Sequence, residues 1–439
     1  MPRLIVSFPA IVGTSGSDLV VGKEDNAFPA IGIEVLKNGV IETQGGNDTI
    51  EGSGTGGDNF DNAGTGTGIA NSGIINAGTG DDTISGTGTG GYQYRTYVSG
   101  IGISNTQGGY INGGDGKDSI FGLGTYFGTG IQNTQDSRID GGKGDDSISG
   151  TGIGTFNGFA IGISNTENSD INGGEGNDSI SGSGTGSNGG DGTGISNSGG
   201  SEISGGKGND SITGIGKGSN ADIGPFDSDN AGRGIGISNS EGSLISGGQG
   251  NDFISGTGTG GNGTGDTPFG ELGPGVGIGI INSGTISLGD GNDTIIGTGI
   301  SLGTGIVNTN GIICGGAGDD TLTGYGTNIG IQGGTIDGGK GNDYFKARRI
   351  DDNGNPVLDQ GGAIADVVIK GGSGADTFDV GYGNATINGG CGWDKLILPD
   401  VKSDYTILGS SNNYTIKRDE FTLNVLNVEE IAFFGVAPQ

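Results

Sequence analysis

An all-β chain wound as a parallel β-solenoid is the fold class that three features of the sequence predict. A glycine-rich acidic phrase returns along the chain, isoleucines stand at fixed places between its copies, and the composition is unfit for helices. Glycine supplies 109 of the 439 residues, against a usual share of ~7%, and it follows no strict three-residue period, which excludes collagen. Each glycine inside a helix costs roughly 1 kcal/mol relative to alanine. Regularly spaced Ile and Val between glycine turns read instead as many short strands.

The phrase is clearest as INGGEGNDSI (171–180). It returns as INGGDGKDSI (111–120), IDGGKGDDSI (139–148), ISGGKGNDSI (203–212), ISGGQGNDFI (245–254), ISLGDGNDTI (286–295), ICGGAGDDTL (313–322), IDGGKGNDYF (336–345), IKGGSGADTF (369–378) and INGGCGWDKL (387–396). INAGTGDDTI (75–84) is a weaker copy, and IETQGGNDTI (41–50) and IVGTSGSDLV (11–20) are weaker still. The shortest interior unit, 321–343, carries three apolar beats: Leu322, the pair Ile329/Ile331, and Ile336. Each is bounded by glycine. We read one coil, with three short strands and the acidic turn at one corner (a β-helix or β-roll type of winding). Ile148, Ile161/Ile163 and Ile171 repeat the pattern, as do Ile180, Ile195 and Ile203. Alternate residues of a strand share a face, so these isoleucines are expected inward and the flanking Ser and Thr outward. Stacked coils then bury a core that no single coil can.

A second beat, GI-x-N-[ST], places Asn71, Asn105, Asn133, Asn165, Asn197, Asn239, Asn282 and Asn308 at one register. It predicts an asparagine ladder, with amides bonding up the stack at a strand-ending turn. Extra residues fall between the first and second beats, at 88–100, 216–234 and 258–277, so the insertions gather on one edge. Nearby aromatics are Tyr92, Tyr94, Tyr97, Tyr126, Phe127, Phe156, Phe159, Phe226 and Phe269. They cover the loops, or they present a surface to a partner.

The organisation expected is a solenoid of about ten coils over 1–345, an irregular charged insertion over 346–368, tandem acidic turns over 369–396, and a cap over 397–439. In the cap, Tyr405, Ile407, Tyr414, Ile416, Phe421, Leu423 and Val425 alternate as in antiparallel strands. Such a cap covers backbone that a solenoid end leaves unpaired.

Fifty acidic residues against 19 basic ones give a formal charge of −31. Nucleic acid and anionic membrane surfaces are poor partners for such a chain. No run approaches the ~18 apolar residues of a membrane span. The absence of histidine removes the commonest general base and zinc ligand. With no nucleophile–base pair in sight, no enzymatic activity is expected. Cys314 and Cys391 fall at different places in the repeat, so no disulfide is expected. The N-terminal MPRLIVSFPAIVG lacks the basic start and longer apolar core of a secretory signal.

Glycines that permit positive φ can turn the carbonyls of the acidic corner inward, and aspartate adds a carboxylate. Calcium takes six to eight oxygens of these kinds, and two stacked turns can supply them. The phrase resembles GGxGxDxUx, the calcium-binding nonapeptide of the RTX (repeats-in-toxin, hemolysin-type) family. The resemblance implies Ca²⁺ at Asp82, Asp118, Asp146, Asp178, Asp210, Asp252, Asp293, Asp320, Asp343, Asp376 and Asp394, and at Asp48, whose turn has lost two glycines. It also implies export by type I secretion to the cell exterior or surface. In that family, tandem nonapeptides form 18-residue coils with calcium on both edges. Here that spacing occurs only at 369–396, so a single calcium column is expected elsewhere.

The function this implies is an extracellular calcium-binding structural or cell-surface protein, such as a surface-layer or filament subunit that pairs head-to-tail with itself. One alternative is an adhesin that contacts cell-surface glycans or proteins through the aromatic loops. Another is an ice-binding solenoid using outward pairs such as Thr83/Ser85 and Ser179/Ser181, although Phe121, Phe253 and Ile296 interrupt them.

Overall fold

The coil that begins at Ser179 shows how the winding works. In the computed structural model it consists of strands Ser179–Thr185, Gly192–Asn197 and Glu202–Lys207, and it returns to the acidic corner at Asp210. The next coil repeats these as Ser211–Lys217, Gly234–Asn239 and Leu244–Gln249. Each strand pairs with its successor in parallel and in register, so Ile180 stands against Ile212, Ile195 against Ile237 and Ile203 against Ile245. The structure describes residues 2–59, 63–93, 96–155, 158–220, 231–263, 266–267, 270–271 and 273–434.

The same pairing runs through the molecule. Strands that follow the acidic turn form one sheet from Leu19–Ala27 to Glu430–Phe434, and the middle and pre-turn strands share a second. The fold is therefore the expected parallel β-solenoid. No helix among the described residues is long and apolar enough to cross a membrane.

The three inward apolar residues of each coil, isoleucines in most coils and Leu322, Phe345 or Phe378 after the later turns, are buried and stack into one continuous core. The middle strand departs from simple alternation, however. Gly194 and Ile195 are buried in succession, which reverses the faces of the strand at that point. Of the expected inward pair Ile161/Ile163, only Ile163 enters the core, while Ile161 lies half-buried outside. Ile329 and Ile331 divide in the same way. After the turn, Ser179–Thr185 points Ile180, Gly182 and Gly184 inward. A Cβ on Gly182 would collide with the Gly194 carbonyl. The cross-section thus narrows from the isoleucine stack to backbone packed on backbone at the insertion edge.

The asparagines form the expected ladder. Asn165 is fully buried, and its amide donates to Asn197 Oδ1 at 2.9 Å, the Ser169 carbonyl at 2.9 Å and the Glu202 carbonyl at 2.8 Å. Successive bonds of this kind run from Asn71 to Asn308. All the amides are spent on the corner, which is a structural use. The insertions leave between post-turn and middle strands, as at 186–191 and 218–233. Tyr94, Phe156, Phe226 and Phe269, with the Tyr97 side chain, lie outside the described residues. Phe127 and Phe159 meet edge to face with ring centroids 5.2 Å apart.

Beyond Asp343, strand Tyr344–Arg349 continues the post-turn column, and Gly361–Ser373 spans the middle and pre-turn columns as one strand. The following coil is likewise shortened to Thr377–Val380 and Tyr382–Cys391. The 18-residue spacing at 369–396 is therefore one whole coil. Phe345 and Phe378 stack in its core at 5.1 Å. In the cap, Thr406–Ser410, Asn413–Arg418 and Phe421–Leu426 are antiparallel, as their alternation predicts. Phe421–Leu426 also pairs in parallel with Tyr382–Cys391, and Glu430–Phe434 with Lys395–Pro399. The cap thus closes a further coil of its own. Cys314 and Cys391 are free.

Candidate metal centre

Most of the acidic turns bring a carboxylate and a carbonyl together over a bare glycine. In the turn 205–210, a Cβ built on Gly205 would lie 2.5 Å from the Gly247 carbonyl oxygen of the next coil and 2.7 Å from Asp210 Oδ2. No side chain fits between them. Gly206 and Gly208 then take φ of +117° and +122°, the left-handed region that glycine enters without strain.

Asp178 is 3% exposed. Its Oδ1 accepts the Asp146 N–H at 2.7 Å, and its own N–H donates to Asp210 Oδ1 at 2.7 Å. The same bond joins every successive pair from Asp48 through Asp82, Asp118, Asp146, Asp178, Asp210, Asp252, Asp293, Asp320, Asp343 and Asp376 to Asp394. All the carboxylates singled out in the sequence therefore stand as rungs of one file. Asp376 and Asp394 are consecutive rungs of it at 2.9 Å. The two-edged arrangement associated with 18-residue coils does not occur at 369–396, because the merged strand of that coil leaves a single acidic corner.

Two members of the file escaped sequence reasoning. Asp18 donates its N–H to Asp48 Oδ1 at 2.7 Å, and the weak copy at 11–20 carried that signal. Glu429 closes the other end by accepting the Asp394 N–H at 2.7 Å, and no repeat marks it.

The second oxygen of each carboxylate is different. Oδ2 of Asp48, Asp82, Asp118, Asp146, Asp178, Asp210, Asp252, Asp293, Asp320, Asp343, Asp376 and Asp394 is buried with no hydrogen-bond partner. An ionised carboxylate out of water without a partner is costly. Loss of water, with the charges of neighbouring rungs, pushes Asp146, Asp178, Asp252, Asp320 and Asp376 up to about 7. It pushes Asp82, Asp118 and Asp343 up to about 6. Asp210, Asp293 and Asp394 are raised by the same burial. The amide bonds to Oδ1 oppose the shift. A second ladder, one residue earlier in the turn, runs the opposite way at the surface: Asn177 donates its N–H to Asp145 Oδ1 at 2.8 Å, and Asn209 to Asn177 Oδ1 at 2.8 Å. Its exposed position leaves no comparable deficit.

The file of Oδ2 atoms calls for protons or cations. Its donors are carboxylate and carbonyl oxygens, which suit a hard cation such as calcium and do not suit metals that favour thiolate or imidazole. Among the described residues no group of three or more His, Cys, Asp or Glu side chains converges in a metal-holding arrangement. Each rung contributes one carboxylate, and further ligands would have to come from the turn backbone. On those terms the residues fit calcium.

Fold and site together define a parallel β-solenoid with a buried acidic file along one corner. No protein-family model matches the chain, and no curated protein matches it.

Proposed function

We propose that this chain is an extracellular calcium-binding structural or cell-surface protein of the RTX kind, whose coils fold as the acidic file takes up Ca²⁺. The observation that carries the proposal is the single file of buried, unpartnered Oδ2 atoms, nine of them beside a carbonyl of the next coil. Bound calcium supplies the positive charge that lets these carboxylates stay ionised inside the corner. Aspartate Oδ2 and turn carbonyls would hold it, while Oδ1 keeps its bond to the neighbouring coil. Metal binding is then folding free energy. Extracellular modules of this sort bind calcium at roughly 10⁻⁴–10⁻³ M, so the chain would fold outside the cell after export, for which type I secretion is the route we propose. A stack fixed at every coil is a stiff rod, suited to a surface layer or filament. Isothermal titration of the chelator-stripped chain tests this: saturable calcium uptake that magnesium does not reproduce is expected, and no uptake at millimolar calcium refutes it.

A second reading is favoured by one observation. Thr83, Ser119, Ser147, Ser179 and Ser211 stand in register on the outer face of the post-turn sheet. Between Thr83 and Ile300 the outward positions of the described post-turn strands carry one charged residue, Lys217. On a chain of −31, such a face fits a flat neutral surface, and ice is the case that thermal hysteresis tests.

A further inference from the structure

The rungs are not equivalent. We infer that the file takes ions in two separate runs, Asp118 to Asp252 and Asp320 to Asp394, divided by a rung that Leu288 closes. The inference rests on the calcium reading and specifies which rungs carry it.

In ten of the thirteen aspartate rungs the residue five places before the aspartate is glycine, as Gly205 is for Asp210 and Gly13 for Asp18, and Asp18 alone of the ten has a partnered Oδ2. There Oδ2 and the carbonyl oxygen of the next coil approach the same bare Cα. Calcium needs its oxygens at 2.3–2.6 Å, so both donors must face one point with no carbon between them. At three rungs that position carries a side chain: Thr43 before Asp48, Ala77 before Asp82 and Leu288 before Asp293. All three are fully buried.

Thr43 shows the consequence most directly. Its hydroxyl donates to the Ala77 carbonyl oxygen at 2.7 Å, the oxygen that would pair with Asp48 Oδ2. One lone pair of that oxygen is taken, and the Thr43 side chain stands where a glycine leaves open space in other turns. Ala77 and Leu288 bring a methyl and an isobutyl group to the place where only a glycine hydrogen fits elsewhere, and an apolar carbon there offers a cation nothing. Asp18 is excluded for another reason, because its Oδ2 accepts the Thr14 N–H at 2.5 Å. At the far end the set is complete: Gly389 faces both Asp394 Oδ2 and the carbonyl of Asn427, so the cap supplies the donor that a following coil would have given.

Asp82 and Asp293 thus belong to the file without holding an ion, and Leu288 splits the ion-bearing corner into runs of five and four rungs.

The test counts metal on the full chain. Protein stripped with chelator and equilibrated with calcium is passed through gel filtration, and bound calcium is measured by elemental analysis. Nine ions per chain are expected. Ala77→Gly and Leu288→Gly should each add one, and Gly205→Ala should remove one. Ala77→Gly removes only a methyl, so it keeps the test open if Leu288→Gly weakens the core. Twelve ions in the native chain, or counts unchanged in both glycine variants, would overturn the inference while leaving calcium binding intact. No ions at all would overturn the calcium reading itself.

Discussion

Replacing Asp178 by asparagine should stabilise the metal-free protein and weaken the calcium-loaded one. Asp178 stands between Asp146 and Asp210, each one strand spacing away, ~4.8 Å. At an effective dielectric of ~20, Coulomb's law gives on the order of 3 kcal/mol of repulsion from each ionised neighbour. Asparagine keeps an Oδ1 to accept the Asp146 N–H and turns the unpartnered oxygen into a donor facing the Gly205 carbonyl. In chelator the variant should therefore hold its β spectrum to a higher pH than the native chain. With calcium present it loses one charged ligand. An ion at ten times its Kd contributes roughly 1.4 kcal/mol, so the urea midpoint should fall by that amount divided by the unfolding slope. Far-UV circular dichroism reads both. A change of the same sign in chelator and in calcium would mean that Asp178 neither repels its neighbours nor holds an ion.

Other outcomes follow from the same geometry. Burial raises eight of the rung aspartates to about 6 or 7 in the fold, Asp82 and Asp178 among them, against ~3.9 when unfolded, so protons bind the folded state more tightly. Metal-free stability should be complete below about pH 4 and lost as pH rises through about 7; a chelated fold insensitive to pH across this window would contradict it. Asp178→Ala should shift the calcium midpoint of folding upward more than Asp48→Ala, since Thr43 already occupies the Asp48 rung; equal shifts would count against this. Asn165→Ala leaves the Asn133 amide and Asn197 Oδ1 short of a partner, a loss of about 3 kcal/mol visible in urea melts with calcium present. A near-neutral result would mean that the ladder is dispensable.

The winding was legible because one register repeats. Ile171, Asp178 and Ile180 recur with their spacing intact, and a period-two strand can bury such isoleucines on one side only. The Ile161/Ile163 pair misled, since period two cannot foresee two consecutive inward residues such as Gly162 and Ile163. The 18-residue spacing misled for a related reason: Gly361–Ser373 merges two strands, and fusion of neighbouring strands leaves no mark in local pattern. In the file itself, aspartate positions could be read directly. The division of labour between Oδ1 and Oδ2 could not, because it depends on the next coil, some thirty residues away. Glu429 enters from a cap with no repeat at all. Thr43, Ala77 and Leu288 stood in view as departures from glycine, but only the packing around Gly205 reveals what such a departure blocks.

Circular dichroism of the full chain at roughly pH 8, with and without calcium, tests coupled folding most directly. A β spectrum should appear with millimolar calcium and collapse to a largely disordered one in excess chelator, because twelve buried carboxylates then face each other uncompensated. A full β spectrum with unchanged thermal melting in chelator would contradict it.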